Sequence, residues 1–194
     1  MRTSSKTIDK RFILRSTKDC KLLSAPVLNT LHSSLGSFGA KTLCYGLSQP
    51  SCKLNLLDIR LNKISNEGAN FIMQTLAIKD VILETLIISS CGITKNFGLQ
   101  EMIKSNTSIQ MLDISNNSIG EESGILIIES LNFNKSIQYM DTRMCKISSE
   151  TELGIQEKIK KNKQSKMSYP KTKNCKNFKK TYDEEFESLE KHFM

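Results

Sequence analysis

The sequence has no run approaching the ~20 apolar residues that a membrane-spanning helix needs. It has only two histidines, His32 and His192, and its six cysteines (Cys20, Cys44, Cys52, Cys91, Cys145 and Cys175) include no Cys-x-x-Cys pair. A zinc site needs its ligands clustered, so no metal site and no cofactor is expected. There is no glycine-rich phosphate loop, no G-x-G-x-x-G after a strand and no G-x-S-x-G nucleophile elbow. Acids in the central part are dispersed rather than paired. His32 lies between Leu31 and Leu35, where a structural or surface role outweighs that of a catalytic base. These absences exclude the common catalytic signatures, and the chain is expected not to be an enzyme. No apolar signal core follows the N-terminal lysines and arginines, and Asp9 and Asp19 weaken a mitochondrial presequence reading. Free thiols in the reducing cytoplasm are the expectation.

The net charge of +8 suggests a polyanion partner until it is divided along the chain. Residues 1–22 carry +5, residues 23–155 carry −2, residues 156–180 carry +9 and residues 181–194 carry −4. The middle is faintly acidic and the flanks supply the whole excess, so the balance describes the ends rather than the folded body.

Against these absences stands one strong regularity. Leu54, Leu57, Ile59, Asn62 and Ile64 have the same spacing as Leu83, Leu86, Ile88, Cys91 and Ile93. Ile109, Leu112, Ile114, Asn117 and Ile119 repeat it, and so do Ile137, Met140, Thr142, Cys145 and Ile147. Counting from each first residue, the offsets are zero, three, five, eight and ten. The copies begin 29, 26 and 28 residues apart. This is the pattern L-x-x-L-x-L-x-x-N/C-x-L of a leucine-rich repeat. Offsets three and five alternate along a short strand and point into a core. Offset eight follows the strand, where an Asn satisfies buried backbone groups and a small, weakly donating Cys can replace it. A structural role for Cys91 and Cys145 follows.

The rest of each unit reads as helix: Gly68, Phe71, Ile72 and Leu76, then Ile125, Ile127, Ile128 and Leu131, then Leu153, Ile155 and Ile159. Glu121 and Glu122 suit a helix start. Asn106, Asn134 and Asn162 close successive helices. An eroded copy comes first, with Leu28 lying 29 residues before Leu57, and Leu35, Gly39, Ala40 and Leu43 lying 29 before Ile64, Gly68, Ala69 and Ile72. The expected architecture is an α/β leucine-rich repeat solenoid over 25–162. It has four clear repeats and one degenerate one, with parallel strands on the concave face and helices on the convex face. Residues 1–24 form a basic lead without the pattern.

Residues that alternate with the core ones on the strands would face a partner. They form three columns: Leu56, Thr85, Met111 and Tyr139; Asp58, Ile87, Asp113 and Asp141; Arg60, Ser89, Ser115 and Arg143. Tyr, Met and Arg are favoured at protein interfaces, and repeat folds present extended faces for binding, so a protein partner is expected here. Residues 163–181, with Tyr169, Pro170 and Phe178 among lysines, read as a basic flexible tail. Nucleic acid, an acidic protein surface or tubulin's acidic tails fit its charge, although no aromatic RNA-recognition motif is present. Tyr182, Phe186, Leu189 and Phe193 in 182–194 recur at helical spacing, as in a short amphipathic helix.

The four in-register copies resemble the ribonuclease-inhibitor-like leucine-rich repeat superfamily. The last copy, with Asp141-x-Arg143, then Glu150 and Glu152, then a basic helical end, resembles the axonemal subgroup. That subgroup includes the T-complex-associated testis-expressed and dynein regulatory complex subunit 5-like proteins. The resemblance implies a scaffold in the axoneme of cilia and flagella, with dynein regulatory complex subunits or tubulin as partners. The repeats are also similar to cytosolic leucine-rich regulators of ubiquitin or innate-immune pathways, whose attached effector domain has no counterpart in this sequence.

Overall fold

The computed structural model describes residues 8–9, 27–29, 34–78, 81–94 and 98–165. The chain divides into two units, 1–163 and 164–194, and all the strands described here lie in the first. His32, His192, Cys20, Cys175, most of the 1–24 lead, the basic segment beyond Ser165 and the amphipathic stretch 182–194 lie outside the described residues.

Strand and helix alternate: β1 (Ile8–Asp9), β2 (Val27–Asn29), α1 (Gly36–Leu47), β3 (Leu56–Asp58), α2 (Ser65–Ile78), β4 (Thr85–Ile87), α3 (Leu99–Ser105), β5 (Met111–Asp113), α4 (Gly120–Leu131), β6 (Tyr139–Asp141) and α5 (Ser149–Ser165). The six strands form one parallel sheet in chain order. Parallel neighbours need a crossover between them, and α1 to α4 supply it from β2 onward. The register follows the repeat. Leu28, Leu57, Leu86, Leu112 and Met140 stand side by side, so the eroded copy is a full member of the sheet. Ile8 extends this row onto β1 with no repeat pattern around it.

The core lies between sheet and helices. Leu57, Leu86 and Leu112 meet Ile72, Met102, Ile127 and Ile155 from the helices, all essentially without solvent exposure. α1 and α2 approach closely at Gly68, where a Cβ would lie 3.1 Å from the Ala40 Cβ and 3.2 Å from the Ser37 backbone. The shortest repeat, which begins at Leu83, carries the shortest helix, the seven-residue α3. Acids sit in the first turns of α2 to α5, where the exposed N–H groups favour negative charge.

Two rows of side chains hold the coils together. Asn117 Nδ2 donates to the carbonyls of Ile88, Ile114 and Ser115, and its Oδ1 accepts from Cys91 N and Ile93 N. The Cys91 thiol donates to Ile59 O and Ser89 O, and the Cys145 thiol to Ile114 O. Burial pushes both thiols up to about 12, so they stay protonated and act as donors. At the far ends of the helices, Asn106, Asn134 and Asn162 reach back to Leu76 O, Ile103 O and Ile137 O. Asn106 and Asn134 also accept the N–H groups two and three residues ahead.

Candidate protein-binding face

Sheet register brings together the side chains singled out from the sequence. Leu56, Thr85, Met111 and Tyr139 are neighbours across β3 to β6, and Asp58, Ile87, Asp113 and Asp141 form the next row. The third row lies just past the strands, where Leu61 N to Ser89 O, Ser90 N to Ser115 O and Asn116 N to Arg143 O continue the ladder.

Exposure differs from expectation. Asp58, Arg60, Thr85, Ile87, Ser89, Met111, Asp113, Ser115 and Asp141 are buried. Leu56 and Tyr139 are half-buried, and Arg143 is exposed. The aspartates do not project toward solvent because each folds back on its own chain. Asp58 Oδ1 accepts from Arg60 N, Asp113 Oδ1 from Ser115 N and Asp141 Oδ1 from Arg143 N. This is the local turn that a short carboxylate makes with the backbone two residues on. In two coils an arginine at that next position closes the ring, Arg60 Nη2 on Asp58 Oδ2 at 2.8 Å and Arg143 Nη2 on Asp141 Oδ2 at 2.6 Å. Asp58, Arg60, Asp113 and Arg143 have further partners as well, so none of these charges stands alone, and Tyr139 has a partner too. The Asp-x-Arg pair of the last copy is therefore repeated in the first, and has a structural use in both.

The most accessible part of the face lies at β6 and the turn after it. Arg143 has 43 % of its side chain exposed, and Met144 beside it is 63 % exposed. The columns read from the sequence omitted Met144. It sits at offset seven, immediately before Cys145, with φ of +58°. Leu61, Ser90 and Asn116 share both the offset and the left-handed backbone. The signal was present in the pattern: a chain that must turn the offset-eight side chain inward turns the residue before it outward.

Among the described residues, no group of three or more His, Cys, Asp or Glu side chains is placed to hold a metal ion, and no helix is long and apolar enough to cross a membrane.

A leucine-rich repeat family model matches residues 51–73 and 105–127. Together with the sheet register and the asparagine rows, this decides the identity of the coils. They are leucine-rich repeats. The chain is 26% identical to ribonuclease inhibitor of Sus scrofa over 146 residues, covering 58% of this chain and 32% of the relative. It is 32% identical to a protein phosphatase 1 regulatory subunit 37 homolog of Caenorhabditis elegans over 128 residues, covering 62% of this chain and 13% of that protein. The chain thus spans a third or less of the length of these relatives. Among solved structures, the leiomodin-1 actin-binding site 2 superposes with a TM-score of 0.67 at 14% identity, covering 90% of this chain and 95% of that one. The tropomodulin C-terminal domain of Caenorhabditis elegans gives 0.63 at 14% identity, covering 77% of this chain and 94% of that one. At that identity these likenesses establish the fold. The chain is a leucine-rich repeat protein similar to ribonuclease-inhibitor-like proteins, a fold suited to protein partners.

Proposed function

We propose that this chain is a non-enzymatic scaffold in the cytoplasm whose protein partner engages the β6 end of the strand-lined face, and that it serves in the axoneme of cilia or flagella. The observation that carries the binding reading is the distribution of exposure. Nine of the twelve face positions are closed and Leu56 is half-buried, whereas β6 and the turn after it carry half-buried Tyr139 and exposed Arg143 and Met144, which supply an aromatic ring, a guanidinium and a thioether. These are residue types that dominate interface energetics. The axonemal placement rests on the resemblance of the last repeat, and it names dynein regulatory complex subunits or tubulin as partners.

The test is recovery of those partners from axonemal extract by the intact chain and by Tyr139→Ala and Arg143→Glu. Loss of about 2 kcal/mol at a hot spot lowers affinity roughly thirtyfold. Undiminished recovery by both variants would end the β6 reading. A tagged chain that stays out of the axoneme would end the placement and leave the binding reading standing. Exchanging the buried aspartates for lysine is unsuitable, because it places an uncompensated charge inside the protein. The +9 charge of residues 156–180 supports a second reading, a nucleic-acid or microtubule binder. Deleting residues 166–181 would then abolish binding together with its salt dependence.

A further inference from the structure

One contact between coils differs in charge from its counterpart. In the first clear repeat, Asn66 reaches the next coil through a neutral amide. Its Oδ1 accepts from Thr94 N, and its Nδ2 donates to Thr94 Oγ1, both at 2.7 Å. The equivalent position before the last coil is Glu121. Its Oε2 accepts from Ser148 N at 2.6 Å, and its Oε1 accepts from Ser148 Oγ at 2.8 Å and from Thr151 Oγ1. Ser148 Oγ also accepts from Thr151 N, capping α5. One exposed hydroxyl therefore both starts α5 and ties it to α4 through a carboxylate.

α5 follows β6, the last strand among the described residues. Its Ile155 and Ile159 enter the core, and Gln156 Nε2 and Asn162 Nδ2 donate to Met140 O and Ile137 O on and beside β6. Whatever loosens α5 uncovers that strand.

We propose that Ser148 is a phosphoacceptor site and that its phosphorylation releases α5. The flanking Glu150 and Glu152 fit a serine/threonine kinase that selects acidic sequence. The γ-phosphoryl group of a nucleoside triphosphate forms a P–O bond with Ser148 Oγ. The bond to the bridging oxygen breaks to leave the diphosphate, and the hydroxyl proton passes to a base of the kinase. A phosphate at a helix start ordinarily stabilises the helix. Here the hydroxyl that donated to Glu121 becomes a dianion at hydrogen-bonding distance from a carboxylate. A full charge at that distance outweighs the partial charge of the helix end. The sign of the effect therefore depends on Glu121. At the Asn66–Thr94 contact the amide donor would accommodate the same group.

The test uses the intact chain with ATP and an acidophilic serine/threonine kinase, mass-spectrometric mapping of the phosphate and amide hydrogen exchange over 149–163. The expected result is phosphate on Ser148 and exchange in α5 about tenfold faster. In Glu121→Lys the phosphate should slow that exchange instead. Ser148→Ala should show no change on kinase treatment. Absence of phosphate from Ser148 overturns the proposal. So does phosphorylated Ser148 with unchanged or slower exchange in the wild-type chain, or the same acceleration in Glu121→Lys. No binding partner enters this readout, so its failure is separable from failure of the proposed β6 binding site.

Discussion

Coils followed by an asparagine coil close their turns differently from coils followed by a cysteine coil. Where the next coil brings an asparagine, its Oδ1 takes backbone N–H groups from the coil before. Leu35 N goes to Asn62, and Cys91 N and Ile93 N go to Asn117. Where the next coil brings a cysteine, the N–H at offset ten turns inward to its own coil. Ile64 N goes to Asn62 O and Ile119 N to Asn117 O, both at 2.8 Å. The left-handed residue moves with it. Offset nine is left-handed before an asparagine, at Ser34 and Gly92, and not before a cysteine, where Ser65 and Gly120 at offset eleven take that conformation; the first coil has it at Gly36 as well. The N–H at offset eleven then reaches the cysteine's own carbonyl, Ser65 N to Cys91 O and Gly120 N to Cys145 O. The Asn66–Thr94 and Glu121–Ser148 contacts both lie on these cysteine-followed coils. Cysteine therefore replaces the donor half of asparagine, and the backbone and an outer side chain replace the acceptor half.

The largest expected effect comes from removing that acceptor where the backbone depends on it. Asn117→Cys keeps a donor but leaves Cys91 N and Ile93 N without a partner. Two orphaned buried N–H groups, with some relaxation, put the cost at about 3 kcal/mol. The midpoint of denaturant unfolding measures it. The reverse exchange, Cys145→Asn, adds a few atoms to a turn that needs no acceptor, and should cost about 1–2 kcal/mol. Equal losses would break the distinction between the two kinds of coil.

Next in size is Cys91→Ala, which removes a weak donor and a sulfur's volume for about 1–2 kcal/mol. The same burial predicts that Cys91 and Cys145, pushed up to about 12, resist thiol reagents at pH 8 in the folded chain. Among the described thiols, half-buried Cys52 should react first. Rapid labelling of Cys145 without unfolding would contradict its role as a core donor.

The left-handed positions give a smaller effect of either sign. Gly120 has φ of +80° and open space around the Cβ it lacks, so Gly120→Ala isolates the backbone cost, about 1 kcal/mol. Ser65 adopts the same region at +60°, and Ser65→Gly should gain up to about 1 kcal/mol. A thermal melt of the two variants reads both directions.

The fold was legible because the repeat ties register to residue type. Once Leu57, Leu86, Leu112 and Met140 share an offset, a parallel sheet is the arrangement that buries all four. β1 was not legible, since two residues around Ile8 carry no period. The columns of the face were legible for the same reason as the sheet, but their exposure was not. Alternation says which side of a strand Asp58 or Asp113 lies on, not that its carboxylate curls back to the N–H two residues ahead. The Asn and Cys at offset eight were visible as equivalents. Their inequivalence appears in where Ile64 N and Ile93 N point, which no side-chain pattern records.

The smallest effect concerns the outer contacts, and it separates the neutral one from the charged one. Hydrogen bonds from Thr151 and Ser148 hold the Glu121 carboxyl below its ordinary value of 4.5. A carboxyl lowered in the folded state stabilises it above the ordinary value, and that contribution disappears as the pH falls through the lower folded-state value. Glu121→Gln should therefore be slightly less stable than wild type at pH 7, and the two should converge in acid. Asn66→Ala should lower stability by the same amount at both pH values, because its amide does not titrate. Unfolding midpoints of the three proteins across pH 2–7 give the comparison. A constant gap between Glu121→Gln and wild type would mean that the contact works through shape and hydrogen-bond count alone, and that the charge at Glu121 contributes nothing to closing the last coil.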